Sequence, residues 1–166
     1  HAIASYFLKN EVIQKISILP RTSNTLGYVL YANENENDKF LSTKEELLND
    51  ITVSLAGRAS EELMFGKVTG GCSNDLEKAT KLAENIVCRL GMCDDTFGLM
   101  SINPNDVLMR ERILHEVKRI LNECYAKAKD LLTEHRELLE ELAKILIEKE
   151  EMTLKDFEEV LHRVEK

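Results

Sequence analysis

The second half of the chain is constrained most by a helical recurrence of apolar residues. Ile113, Val117, Ile120, Leu121, Cys124, Ala128 and Leu131 form one stripe, and Leu138, Leu139, Leu142, Ile145 and Leu146 form the next. Spacings of three and four place such residues on one helix face, and that face is stable only when another element covers it. Two such segments in succession predict a helical hairpin. A short third helix is expected from Thr153, carrying Phe157, Val160 and Leu161. With 43% hydrophobic residues over 166 positions, the chain has the material for one ordinary domain's core.

The first half mixes periods. Residues 1–9 read as the last turns of a helix, because nothing resembling an N-cap precedes their apolar positions. Two β-rich runs follow, Val12 to Leu19 closed by Pro20-Arg21, and Gly27 to Ala32, separated by the polar turn Thr22 to Thr25. They suit a small ribbon. The polar stretch Asn33 to Asp38 is expected to be a solvated loop. Thr43 and Glu46 have capping-box form, and Leu47, Leu48, Ile51, Leu55, Ala59 and Leu63 keep helical spacing until Gly66. Small residues at Ala56-Gly57-Arg58-Ala59 imply a close neighbour in mid-helix. A second helix is expected from Asn74, with Glu77 completing its cap, to about Leu90 before Gly91. Gly91 to Pro104 reads as an irregular, poorly ordered connection. The expected fold is mainly α with a small β-ribbon, divided into subdomains over residues 1–100 and 101–166.

Charge and motif absences narrow the function. Twenty-two Lys and Arg against 30 Asp and Glu leave a net charge of -8, the wrong sign for affinity built on phosphate neutralisation, so nucleic acid is not an expected partner. Cys72, Cys88, Cys93 and Cys124 fall at spacings that make no regular disulfide framework, and reduced thiols are the default. No stretch approaches the roughly 20 apolar residues that span a bilayer, so the chain as given is expected to be soluble. None of the seven glycines lies in a phosphate-cradling G-x-x-x-x-G-K-[ST] loop, and no serine or cysteine has a recognisable nucleophile context.

Few residues point to chemistry on their own. Thr69 to Leu76 is a glycine-bearing turn feeding a helix that opens on Asp75, although an acid there already gains ~0.3–1 kcal/mol from the helix dipole. His1 is a candidate ligand by residue type only. Glu61 and Glu62 could stand behind a ligand or face solvent. Cys72 could be a thiolate ligand, though a single cysteine is more often a small packed side chain. His115, His135 and His162 have charged neighbours and no histidine at i+4, which favours surface positions.

The order of motifs is more specific than any one of them. His1-Ala2-Ile3-Ala4, Ile16 to Arg21, Leu26-Gly27-Tyr28, Leu55 to Glu62, Ser73 to Thr80 and Gly91-Met92 together resemble the zincin-like peptidase domain of FtsH-type ATP-dependent zinc metalloproteases, closely over residues 1–100 and loosely beyond. The resemblance implies a metal-binding H-E-x-x-H helix of which His1 is the second histidine, with Asp75 as the third zinc ligand. It implies that the first zinc histidine and the general-base glutamate lie before residue 1, so that this fragment alone would be inactive. Zinc in such a site lowers the pKa of a water toward ~7 for attack on a peptide bond. An AAA-type ATPase using ATP and Mg, membrane-spanning segments and a homo- or hetero-hexameric ring would belong to the parent protein. The peptidase would face the cytoplasm or an organelle interior and degrade unfolded and membrane proteins. The strand carrying Ile16, Ser17 and Ile18 would be the edge along which an extended substrate pairs.

The chain departs from the family pattern in a few places. Ala59-Ser60 stands for Ala-Ala, Ala56 for glycine and Gly71-Cys72 for Gly-Ala, and the connection Met100 to Asp106 is short where the family has a longer glycine-rich stretch. The alternative reading is a non-catalytic, pseudoprotease-type helical oligomerisation domain of an FtsH homologue.

Overall fold

A computed structural model describes residues 1–9, 13–20, 27–32, 42–93 and 95–165. The element order is α1 (Ala2–Lys9), β1 (Ile13–Ser17), β2 (Tyr28–Tyr31), α2 (Lys44–Phe65), a 3-10 turn (Gly70–Cys72), α3 (Ser73–Cys88), α4 (Arg110–Glu134), α5 (Arg136–Lys149), β3 (Glu151–Thr153) and α6 (Leu154–Val164). The fold is mainly α with a small antiparallel sheet. Val12, the turn at 22–25 and the polar stretch at 33–38 lie outside the described residues.

The chain divides into two compact units, one made of His1–Phe40 with Leu131–Lys166 and the other of Leu41–Asp130. Neither boundary falls at the 100/101 division expected from sequence. The reason lies in the sheet, whose order is β2-β1-β3. Ile16 faces Val29 on one side and Met152 on the other, and Ser17 faces Tyr28 and Glu151. The expected ribbon of β1 and β2 is present, but β3 joins it from near the far end of the chain. β1 is therefore the central strand, which corrects its expectation as a substrate edge. Ile16 and Ser17 have a strand on each side, and the Ile18 amide donates to the Glu150 carbonyl at 3.0 Å. At Ile16 and Ser17 both sides of the strand are already taken by neighbouring strands.

In the first unit, Ile13, Leu132, Leu138, Met152 and Phe157 are essentially inaccessible to solvent. α1 is fastened to this core by three side chains. Ser5, fully buried, shares a 2.7 Å hydrogen bond with the Tyr31 hydroxyl of β2. The Tyr6 ring lies 5.0 Å from that of Phe157, and Phe7 stacks on His135 at 4.0 Å and 9°. His135 is thus half-buried against an aromatic ring, which corrects its expected surface position, whereas His115 and His162 are exposed.

In the second unit, α2 begins at Thr43 with both reciprocal capping-box bonds and ends at Gly66, whose φ of 63° is the left-handed conformation glycine adopts without a Cβ penalty. The small residues of α2 have the expected close neighbour. Ala56 and Ala59 of α2 are fully buried, as are Ala79 and Ala83 of α3. Ile51 of α2 joins Leu55, Ile86, Val117 and Ile120 in one core. The described residues between 91 and 104 follow an irregular path but make specific contacts, which corrects the expected poorly ordered connection. Phe97 and Ile102 are buried, the Ile102 amide reaches the Cys88 carbonyl at 2.6 Å, and Arg112 lies over the Phe97 ring while bonding the Thr96 carbonyl at 2.9 Å. Beneath it the carboxylate of Glu116, nearly buried, takes two bonds from Arg119 and one from the Cys93 thiol.

Candidate functional site

His1 precedes α1 and is exposed, and its carbonyl accepts the Ser5 amide at 2.9 Å. The helix behind it is therefore hydrogen-bonded from His1 onward and held by the Ser5, Tyr6 and Phe7 contacts. His1 belongs to the first compact unit.

Asp75 belongs to the second. It is half-buried in the first turn of α3, where the aligned peptide dipoles favour a negative charge. The expected cap at Asn74 and Glu77 is not what starts this helix. α3 begins at Ser73, Cys72 offers no side-chain cap, and Glu77 instead pairs with Lys81 at 2.6 Å. The start is set one turn earlier by Thr69, whose hydroxyl oxygen accepts the Gly71 amide at 3.2 Å. The 3-10 turn Gly70–Cys72 then runs directly into α3.

Thr69 is itself held. The Glu61 carboxylate accepts the Thr69 amide at 2.7 Å and the Thr69 hydroxyl at 2.8 Å. These bonds, the one from the backbone first, hold the Glu61 carboxyl below the usual carboxylate range. Glu62, one position on, turns elsewhere. It accepts the Tyr125 hydroxyl in a short bond and Lys129 at 3.1 Å. The Tyr125 bond leads in lowering the pKa of Glu62, while burial and then the adjacent carboxylate push the Tyr125 phenol up to about 12. Arg58 reaches the half-buried Cys72 sulfur at 3.9 Å, and that thiol donates to the Thr69 carbonyl at 3.4 Å. All four cysteines are free thiols.

Glu61 and Thr69 are thus brought together at the turn before Asp75. Among the described residues, no group of three or more His, Cys, Asp and Glu side chains converges to hold a metal ion. His1 and Asp75 have the donor chemistry zinc takes, but a catalytic zinc needs three protein ligands. The residues present are at most part of such a site, and no chemical step is derived from them. Sequence reasoning missed Thr69 as the capping residue and Arg58, Tyr125 and Lys129 as partners. Threonine two residues before a glycine was the available signal for the first; the others are joined only across helices.

A short helix preceded by a histidine, a small antiparallel sheet and a helix with an aspartate in its first turn belong to a mainly α domain. The family model described as Peptidase family M41 matches residues 1–160, and the chain belongs to that family as an FtsH-type peptidase domain. It is 38% identical over 166 residues to the ATP-dependent zinc metalloprotease FtsH of Thermotoga maritima, which covers 90% of this chain and 27% of that protein. It is 40% identical over 161 residues to FtsH 2 of Thermoanaerobacter sp., covering 95% of this chain and 30% of the relative. Against FtsH of Pseudothermotoga lettingae it is 38% identical over 178 residues, covering 97% and 28%. The chain therefore spans less than a third of the length of these relatives. No helix among the described residues is long and apolar enough to cross a membrane.

Proposed function

We propose that this chain is most of the metalloendopeptidase domain of an ATP-dependent zinc protease, with His1 and Asp75 as two of its zinc ligands. The first histidine and the general-base glutamate would come from a His-Glu-x-x sequence directly preceding His1 in the parent protein. Zinc, when bound, supplies a polarised water for peptide hydrolysis. The chain's own residues hold the ligands: Ser5, Tyr6 and Phe7 anchor the helix behind His1, and the turn before α3 carries Asp75. Glu61, which holds Thr69 at the turn before Asp75, acts behind the ligands, whereas Glu62 is engaged by Tyr125 and Lys129. In the parent, an ATPase using ATP and Mg would deliver unfolded and membrane-extracted proteins to a hexameric, membrane-anchored assembly. With β1 enclosed, backbone pairing to an extended substrate would fall to an outer strand of the sheet, β2 or β3.

The observation that carries the reading is the family match over residues 1–160, which spans both candidate ligands. Zinc content of the parent protease tests it. The wild type is expected to hold near-stoichiometric zinc and Asp75→Asn to lose most of it. Unchanged zinc in Asp75→Asn removes Asp75 as a ligand. A parent that holds no zinc at all returns the chain to the non-catalytic oligomerisation reading.

A further inference from the structure

We propose that Glu61 is a positioning residue for Asp75, acting through a two-point carboxylate clamp on Thr69. The inference rests on the reading of Asp75 as a ligand and deepens it. Three observations in the second unit lead to it.

First, both oxygens of Glu61 are engaged by a single residue, Oε2 by the Thr69 amide and Oε1 by the Thr69 hydroxyl. A bidentate contact to one backbone donor and one side-chain donor fixes the position of Thr69 and also the rotation of its side chain. Second, that same hydroxyl oxygen accepts the Gly71 amide, so its orientation decides where the 3-10 turn begins. The turn passes without a break into α3, because Ser73 is already helical at φ -59° and ψ -43° and donates to the Gly70 carbonyl. Displacement of Thr69 is therefore transmitted to the first turn of α3, where Asp75 stands. Third, α3 has no side-chain cap at Cys72, so this relay takes the place of an ordinary cap.

The Glu61 side of the clamp is carried by a packed helix. Glu61 extends from the same helix as the fully buried Ala56 and Ala59, which precede it within two turns. Glu62 does not share the role, since its carboxylate is taken by Tyr125 and Lys129 of α4. A carboxylate ligand gains affinity when its support leaves one geometry; partners bonded directly to a ligand are typically worth about 10–100-fold in metal affinity, and a clamp acting through Thr69 belongs at the low end of that range.

The test uses the full-length protease with two readouts, the zinc dissociation constant by competition with a chromophoric chelator, and amide hydrogen exchange over residues 70–76 with and without zinc. Glu61→Ala is expected to weaken zinc by about 10-fold, the low end for a ligand's support, and to speed exchange in the turn even without metal. Glu61→Gln can still accept the Thr69 amide and donate to its hydroxyl oxygen, so it should restore both readouts close to wild type. Thr69→Val, which leaves α2 untouched, should reproduce Glu61→Ala and serves if that variant does not fold.

Wild-type zinc affinity and exchange in both Glu61→Ala and Thr69→Val overturns the proposal. So does Glu61→Gln losing zinc as fully as Asp75→Asn, since Glu61 would then be a ligand itself. If Asp75→Asn keeps its zinc, the ligand reading has failed independently. The exchange rates of the zinc-free variants then still decide the clamp.

Discussion

Phe157→Ala tests how the first compact unit is built. Phe157 is fully buried in α6, with its ring centroid 5.0 Å from that of Tyr6 in α1. Truncating a buried phenylalanine costs about 3–5 kcal/mol through lost transfer energy and the cavity left behind. The aromatic pair itself contributes about 0.5–1.5 kcal/mol beyond area burial. That pair is already included in a truncation measurement, so about 4 kcal/mol is the expected total, a large share of the 5–15 kcal/mol typical of a domain. Urea unfolding followed by far-ultraviolet circular dichroism gives the total. Native-state hydrogen exchange gives its distribution: amides of α1, the three strands and α6 should lose protection, while those of α2 and α3 keep more of theirs. A loss below about 1 kcal/mol would refute Phe157 as the side chain on which α1 and α6 meet. Protection lost first from α2 and α3 would refute the assignment of α1 and α6 to one unit.

Tyr125 should ionise near pH 12, as read from tyrosinate absorbance, with that step absent in Tyr125→Phe. Its pKa is raised from 10.0 on folding, so its contribution to stability is full below pH 10 and fades as pH rises through about 12. Glu62 has the opposite sign: its lowered pKa stabilises above the unfolded value of about 4.3, and the contribution is lost as pH falls through its folded pKa. Glu150→Gly should raise stability by about 0.5–1 kcal/mol in thermal or urea unfolding. Glu150 caps α5 at φ 65°, where a side chain is strained, and part of the relief is offset by glycine's larger unfolded-state entropy. Destabilisation by that substitution would show that the Glu150 side chain contributes more than its backbone strain costs.

The sequence by itself determined the pieces whose energetics are local. The Thr43 and Glu46 capping box, the stop at Gly66, the start of α6 at Thr153 and the apolar stripes of α4 and α5 all rest on groups within about one helical turn of each other. Recognition of the family likewise came from ordered local motifs, and Asp75 was placed correctly in the first turn of a helix. Tertiary structure decided everything that joins distant segments. β3 lies next to β1 although Ser17 and Glu151 are 134 positions apart, and nothing in Glu151-Met152-Thr153 signals a strand. That pairing encloses Ile16 and Ser17 and puts both ends of the chain in one unit. His135 meets Phe7, and Glu61 meets Thr69 at the turn before α3, for the same reason. A capping bond or an apolar period is encoded within a few neighbouring residues, whereas a carboxylate's choice of partner across a loop depends on where the packed core leaves its donors.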